Sequence, residues 1–329
     1  MNNHIHSRGA VALAVAGAVV CGGLVAFQSR INGELGHELD NGYLAAFISF
    51  GSGFVIMAII ALAIPGTRRG VAGIFRSIRA GTTPWWYAVG GAAGGLFVLS
   101  QGLTAATLGV ALFTVATVTG QTLSGLLVDR SGLGTMLPKP ITAFRLVGAV
   151  LAVLAVAFSV SPQVQGGIPL WVLILPLLAG LSLGWQQAVN GQVKEISNSA
   201  LTATFFNFLV GATVLGIVLL VHQLVAGAPI HFSDKPYLYL GGINGIVFVA
   251  GYAIVVRYTG VLVMGLAAIA GQLVASLFFD IVFPVAGHQL AWTTVVGTLV
   301  TLVAVGIASL PWRGRETAAS PAATAGAPQ

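Results

Sequence analysis

Charged side chains are scarce in this sequence. Asp, Glu, Lys and Arg make up 7% of the 329 residues, whereas 57% are apolar. Soluble domains usually carry about 25% charged residues. The composition therefore excludes an ordinary water-soluble globular protein and indicates a chain whose main solvent is lipid.

Cysteine and catalytic groups are also scarce. Cys21 is the only cysteine, so a disulfide within the chain is excluded, and a small buried side chain is the favoured interpretation. The six histidines fall in termini or predicted loops, with no metal-ligand spacing beyond the weak His4-Ile5-His6. Without a Ser-His-Asp set, a phosphate loop or a carboxylate pair at membrane depth, we predict no enzyme, no metal site and no cofactor.

Long apolar runs fill most of the chain. About 20 apolar residues in a helix cross the hydrocarbon layer of a bilayer, and Pro, Gly and polar residues separate runs of this length. The pattern predicts an all-α polytopic membrane protein with ten transmembrane helices. We place them at residues 9–30, 43–64, 84–104, 107–128, 141–160, 170–189, 200–221, 237–256, 259–280 and 291–310.

The stretch "QSRINGELG" at 28–36 returns as "QQAVNGQVK" at 186–194. An offset of 158 aligns Gln28 with Gln186 and Asn32 with Asn190, and an offset of 151 aligns later parts of the two halves. The second offset pairs Gly90, Gly94, Gly120, Gln121 and Asp129 with Gly241, Gly245, Gly271, Gln272 and Asp280. The chain is therefore a duplication.

Each half contains five predicted helices, an odd number, so the second half must enter the membrane from the opposite side. This predicts two inverted-topology five-helix repeats, an arrangement typical of alternating-access transporters. The predicted segments are an N-terminus at 1–8, repeats at 9–160 and 170–310, an extracytoplasmic linker at 161–169 and a disordered tail at 311–329.

Lys and Arg are distributed unevenly between the two predicted faces. With the N-terminus inside, twelve of the fourteen fall on the cytoplasmic side, and only Arg30 and Lys235 fall outside. This bias predicts that both termini are cytoplasmic. The net charge of +6 then describes loops that face anionic lipid, so we expect the bilayer as a partner and no nucleic acid.

Gln28, Asn32-Gly33, Leu35-Gly36 and "AAFISFGSG" at 45–53 resemble the first two helices of the YdcZ-like inner-membrane exporters of the drug/metabolite transporter superfamily. The resemblance extends over 9–310. It implies a multi-pass secondary transporter of the bacterial inner membrane with two fused five-helix units, and it carries no substrate class. Two residues depart from related patterns: Lys194 stands opposite Gly36, and neutral Gln28 stands where small multidrug exporters have a Glu.

Acidic residues are the usual groups for proton or cation coupling at membrane depth. All eight in this sequence fall at predicted helix ends, loops or termini, so coupling to protons or ions is left open. Asp129 and Asp280 end the fourth and ninth predicted helices on opposite faces. They are either paired gates or residues that merely end a helix in the headgroup region.

Polar residues inside the predicted helices are the candidate substrate contacts. An amide in hydrocarbon needs a partner helix, a cavity or a ligand. Asn-Gly also suits a helix C-terminus, so Asn32 and Asn190 could be caps, but capping does not explain the glutamines. The candidates are Gln28, Asn32, Thr114, Thr117, Gln121, Ser124, Gln186, Asn190 and Gln272, with Asn207 and Asn244 as further cavity residues.

Each candidate also has a structural interpretation, namely hydrogen bonding that holds the bundle together. Glycines such as those of "GGAAGG" at 90–95 predict close helix packing around the site. The function that we predict is secondary transport, with export of a small metabolite as the favoured direction. The alternative is a non-transporting membrane assembly or sensor subunit with the same fold.

Overall fold

The computed structural model describes residues 8–131, 142–227, 230–284 and 290–308. Over these ranges the chain is almost entirely helical. The N-terminus before residue 8 and the tail predicted at 311–329 lie outside the described residues. The helices are α1 Arg8–Glu38, α2 Gly42–Ala63, α3 Pro65–Arg79, α4 Gly91–Ser100, α5 Ala106–Leu108, α6 Val110–Ser131, α7 Ala143–Ser159, α8 Ser161–Gln165, α9 Leu170–Ser197, α10 Ala200–Ala226, α11 Gly241–Val282 and α12 Trp292–Ala308.

Seven helical segments among the described residues are long and apolar enough to cross a membrane. Two shorter apolar helices, α7 and α12, accompany them. Trp85–Val89 forms a 3₁₀ turn before α4, and Gln101–Ala105 forms a π-helical turn between α4 and α5. Gly109 then separates α5 from α6 with a φ of 80°, which glycine adopts without the steric cost of a Cβ. The all-helical fold is confirmed, and the count of ten spans stays a prediction.

The predicted helices at 237–256 and 259–280 both lie within α11, which folds back on itself. Gly251 contacts Cys21, and Gly22 contacts Ala268. In a straight helix residues 251 and 268 would lie about 25 Å apart, yet they touch neighbouring residues of α1. The chain must therefore reverse direction between Val255 and Met264, so that two arms of α11 lie side by side along α1.

The ends of α1 and α9 correct the predicted boundaries. Both helices run about two turns beyond residues 30 and 189, so Asn32 and Asn190 lie inside helices and the capping interpretation is wrong. The true stops are Asp40 and Asn198, with left-handed φ angles of 46° and 55°. These two residues also differ by the repeat offset of 158, so the duplicated sequence ends both helices in the same way.

Helix α3 corrects a segment that the sequence predicted as a cytoplasmic loop. It starts with Pro65 at a first-turn position, where the missing N–H costs nothing, and it is strongly amphipathic. Ile74 packs with Val193 and Phe206 on α9 and α10. An amphipathic basic helix that lies on the surface of the bundle is typical of the membrane interface.

The close packing predicted for the glycines at 90–95 is confirmed at Gly91, whose backbone lies against Asn207 of the second half. Two glycines outside that motif join the halves in the same way. The backbone of α1 at Gly22 lies against Ala268 of α11, and the backbone of α9 at Gly180 lies against Thr117 of α6. A Cβ at either glycine would overlap a carbonyl oxygen of the other helix. Because the two contacts are related by the repeat offsets, each half contributes the same pair of helices to this packing.

Candidate functional site

Two phenylalanines meet where the halves contact each other most symmetrically. The rings of Phe50 and Phe208 lie 5.1 Å apart between centroids. Phe50 covers Gly211, and Phe208 covers Gly53. Both relations follow the offset of 158, so this contact marks the centre of a two-fold arrangement.

The glutamine and asparagine of α1 dock on two glycines of the second half. Gln28 Nε2 donates to the carbonyl oxygen of Gly241 at 2.7 Å, and its amide also packs against Gly245. Asn32 Oδ1 packs directly against Gly241. Gln28 and Asn32 are 3% and 0% exposed, so the sequence motif lies in a fully packed contact between the halves.

The matching motif of α9 docks on the matching glycines of the first half. A Cβ on Gly94 would lie 2.6 Å from Gln186 Nε2, and a Cβ on Gly90 would lie 3.0 Å from Asn190 Oδ1. Both amides donate to Asn207 Oδ1, the Asn190 bond at 3.4 Å. The repeated residues thus form reciprocal contacts, each Gln and Asn on the glycines of the other half.

Gln101 is a central residue that the sequence analysis missed. Its Oε1 accepts from Asn32 Nδ2 at 2.7 Å, and its Nε2 donates to Ser29 Oγ at 2.9 Å. Ser29 in turn donates to the carbonyl oxygen of Val25 at 3.0 Å. The sequence did contain an indication of its role, because Gln101 is a glutamine near the end of an apolar predicted helix, which is also why Gln28 was chosen as a candidate.

The two reciprocal contacts differ in the solvent exposure of their residues. At the end of α1, Asn32, Gly33 and Gly36 are buried against the π-helical turn, where Gly36 touches the backbone of Gly102. At the end of α9, Asn190 is half-buried and Gly191 and Lys194 are exposed. The two matched ends therefore differ in exposure, and we call the buried one the closed end and the more exposed one the open end.

Two polar atoms that lie against Gly241 at the closed end lack hydrogen-bond partners. Asn32 Oδ1 and Ser49 Oγ are buried without a partner, and both lie against Gly241. Leaving such groups unpaired in a packed interior costs about 1–3 kcal/mol each. An amide oxygen and a hydroxyl in this position could bind a donor group of a small polar molecule once the contact opens.

Two of the predicted polar residues of α6, Thr117 and Ser124, make contacts within the helix bundle. Thr117 donates to the carbonyl oxygen of Phe113, one turn back along α6, at 2.9 Å. Ser124 packs against Gly184 of α9. Thr117 therefore bonds within its own helix, and Ser124 takes part in packing between α6 and α9; neither contact is a hydrogen bond between helices.

The remaining residues of that stripe are less well satisfied. Thr114 Oγ1 and Gln272 Nε2 are buried without hydrogen-bond partners. Gln121 is half-buried. Among the predicted contacts on α6 and α11, these three have polar atoms left to interact with a ligand.

Asp280 lies two residues before the end of α11, as the sequence predicts, and its side chain is buried, with 5% exposed. Its two carboxylate oxygens accept from Val110 N at 2.8 Å and Ala111 N at 2.7 Å. A carboxylate at a helix N-terminus binds orphan N–H groups and complements the helix dipole. The side chain of Asp129 lies outside the described residues.

The two cationic residues that break the charge bias, Arg30 and Lys235, occur in one ionic cluster. Glu34 pairs with Arg30 at 3.3 Å and with Lys235 at 3.5 Å. Lys235 also pairs with Glu38, and the hydrogen bond to this carboxylate raises the pKa of Lys235. Tyr237 donates to Glu34 at 2.7 Å. The cluster ties the end of α1 to the segment before α11.

Comparison with known proteins gives one family. The model for the family "Putative inner membrane exporter, YdcZ" matches residues 13–158 and again 171–307. No curated protein matches the chain. The two matches together cover most of the sequence, and each coincides with one of the predicted repeats. The chain therefore belongs to the YdcZ family of multi-pass inner-membrane exporters, with two copies of the family unit fused in one polypeptide.

Proposed function

We propose that the protein is a secondary transporter that exports a small metabolite by alternating access between its two halves. The observation that carries the proposal is the unequal burial of matched residues: Asn32 and Gly33 are buried, whereas Asn190 is half-buried and Gly191 is exposed. A duplicated protein with one end closed and the other open has the asymmetry that alternating access requires. Exchange of the two conformations would open the closed end and close the open one.

The reciprocal contacts support two inverted five-helix repeats within ten spans. Phe50 with Gly211 and Phe208 with Gly53 are related by a two-fold exchange of the halves. The fold-back of α11 supplies the turn between the eighth and ninth predicted helices. An axis of this kind in the membrane plane would give the halves opposite orientations.

The charge distribution supports an inward-open state with both termini in the cytoplasm. The closed end carries Arg30 and Lys235, which are paired with Glu34 and Glu38. The open end carries Lys194, and α3 with its four arginines lies on the same side. Positive residues favour the cytoplasmic face, so the open end faces the cytoplasm, where an exporter collects its cargo.

The chemistry of the contacts supports an uncharged polar or amphipathic cargo. The candidate groups are amides and hydroxyls, and Asp280 already binds two backbone N–H groups. A cationic cargo would need a carboxylate free to pair with it. The proposed substrate contacts are Gln28, Asn32, Thr114, Thr117, Gln121, Ser124, Gln186, Asn190 and Gln272.

Asp280 is proposed as the outer gate. Its bonds to Val110 and Ala111 join α11 to the start of α6, and separation of these helices at the outer end would break them. Asp129, at the matching position, is proposed as the inner gate. Proton or ion coupling through either carboxylate is part of the same proposal.

A labelling experiment tests the proposed mechanism. Cys21→Ala removes the only native thiol, and Asn32→Cys or Asn190→Cys then introduces one thiol at matched positions. In membrane vesicles of known orientation, a membrane-impermeant maleimide should label the Asn190 variant from the cytoplasmic side and leave the Asn32 variant unlabelled. Equal labelling at both positions would contradict the inward-open assignment.

A transport assay separates export from the alternative of an assembly or sensor subunit. Ligands are first found by thermal stabilisation of the purified protein, since a ligand at a hundredfold its Kd adds about 2.7 kcal/mol. Proteoliposomes loaded with a hit should then show counterflow of the labelled compound. A stabilising ligand without counterflow would favour a sensor subunit.

A further inference from the structure

A groove of about 590 Å³ lies where α3 of the first half meets the turn from α9 to α10 of the second half. Its lining includes Gly66, Gly70 and Gly73 of α3, which are spaced to share one helix face. The groove exists because this face of α3 has no side chains. The second half has no helix in the place of α3, since the described residues 230–235 before the 3₁₀ turn at Pro236 are not helical.

Arginine side chains and helix N-termini give the groove a positive potential. Arg69 lines it, and Arg68 lies beside it on α3. Residues of the first turns of α3 and α10 line it, and the N-terminus of a helix carries the positive end of the helix dipole. Positive dipole ends and guanidinium groups together favour a phosphate or another anion. Lys194 adds a further cation nearby, and Glu195 is the acidic residue on the same turn.

One buried polar group in the groove points to a ligand independently of the helix ends. Thr67 is 1% exposed and belongs to the lining, yet its hydroxyl has no hydrogen-bond partner. Its neighbours are otherwise satisfied: Ser199 caps α10 by accepting from Thr202 N at 3.2 Å. An unpaired buried hydroxyl is costly, and rotation of the Thr67 side chain toward the groove would let a bound phosphate oxygen accept its proton.

The rim of the groove is apolar, which selects among phosphate compounds. Ile64 and Ile196 line it and are 41% and 42% exposed, and Leu62 beside them is 70% exposed. A free phosphate ion gains nothing from these side chains, whereas acyl chains would cover them. The position of α3 at the edge of the bundle suits access from the membrane.

We propose that this groove binds the headgroup of an anionic phospholipid. The phosphate lies between Arg69 and the N-termini of α3 and α10, Thr67 donates to it, and the acyl chains extend along Ile64 and Ile196. Because α3 belongs to the first half and α9 and α10 to the second, the lipid bridges the two halves at their open end. The lipid therefore stabilises that end of the protein.

Lipid binding to the full-length protein, delipidated in detergent, tests the proposal. Native mass spectrometry counts bound phosphatidylglycerol, and a thermal-shift titration gives its Kd. Wild type should retain one phosphatidylglycerol and bind it more tightly than phosphatidylcholine with the same acyl chains. Arg69→Gln should weaken binding about fivefold, the effect of one basic residue near an anionic lipid.

Two further variants make the result specific. Arg76→Gln removes the same charge from an exposed position of α3 outside the groove and should change the Kd less than about twofold. Thr67→Val removes the unpaired hydroxyl at nearly constant shape and should weaken lipid binding without lowering the stability of the lipid-free protein.

Three outcomes would overturn the assignment. Equal losses in Arg69→Gln and Arg76→Gln would mean that the charge of α3 acts without a site. Equal stabilisation by phosphatidylcholine would remove the need for an anionic headgroup. Stabilisation by millimolar inorganic phosphate alone, to the same extent as by phosphatidylglycerol, would identify a soluble anion as the ligand. None of these measurements depends on transport.

Discussion

The cap that Asp280 forms on α6 gives the sharpest prediction for stability. Asp280→Asn preserves the shape of the side chain but removes its charge, and only one of its two polar atoms can still accept a hydrogen bond. The NH₂ group of the new Asn side chain must then face a backbone N–H, so that two hydrogen-bond donors oppose each other. Asp280→Asn should therefore destabilise the protein by lengthening or breaking the contact between α11 and the start of α6.

The size of the effect follows from the geometry. Hydrogen bonds to a charged group contribute roughly 1.5–3 kcal/mol each, against about 1 for neutral pairs. A charge at a helix terminus adds about 0.3–1 kcal/mol, and up to ~2 where it is partly buried. With both bonds shorter than 3 Å and the carboxylate 5% exposed, we expect a loss of about 2–4 kcal/mol.

Unfolding in mixed micelles with increasing sodium dodecyl sulfate, followed by tryptophan fluorescence, measures the loss. Asp234→Asn is the matched control, because Asp234 is exposed in the loop before α11 and should change stability by less than about 0.5 kcal/mol. If Asp280→Asn changes stability no more than this control, the carboxylate does not hold α6. If Asp280 is also the outer gate, the same variant should expose Asn32→Cys to outside labelling.

One further variant probes the contact between the halves, and another probes a buried amide pair within the first half. Gly180→Ala places a Cβ against the carbonyl oxygen of Thr117 and should cost about 1–3 kcal/mol in the same assay, while Gly191→Ala at an exposed position should be nearly neutral. Gln101→Leu should cost about 1–3 kcal/mol because Asn32 loses its partner; the double variant with Asn32→Leu should cost less than the sum of the two single losses, and strict additivity would contradict the bond.

Sequence periodicity predicted the helical fold and the duplication because both depend on patterns that repeat along the chain. The glycines at 90–95 were predictable as packing residues because small residues at this spacing allow close approach in lipid, whereas Gly22 and Gly180 were not recognised. The pairing of Gln28 with Gly245 was not, since each residue lies in a different repeat and no local pattern reports which helix faces which.

The errors have identifiable physical causes. The boundary at residue 30 was placed where hydropathy falls, but α1 continues because its polar end packs against other helices. Helix α3 was missed because its apolar face is short and interrupted by glycines. The contacts of Asp280 were not predicted because the sequence does not reveal that the N-terminus of α6 lies beside it, with N–H groups that satisfy the carboxylate.

The near-exact reciprocity around Phe50 and Phe208 has a consequence for the resting state. If the two halves were identical, the inward-open and outward-open forms would have equal free energy and equal populations. Under the proposed mechanism, only unmatched positions bias the equilibrium, such as Gly36 against Lys194 and Gln101 against Tyr252. Because a difference of about 1.4 kcal/mol changes a population ratio tenfold, a few such positions are enough to make the inward-open form the major one.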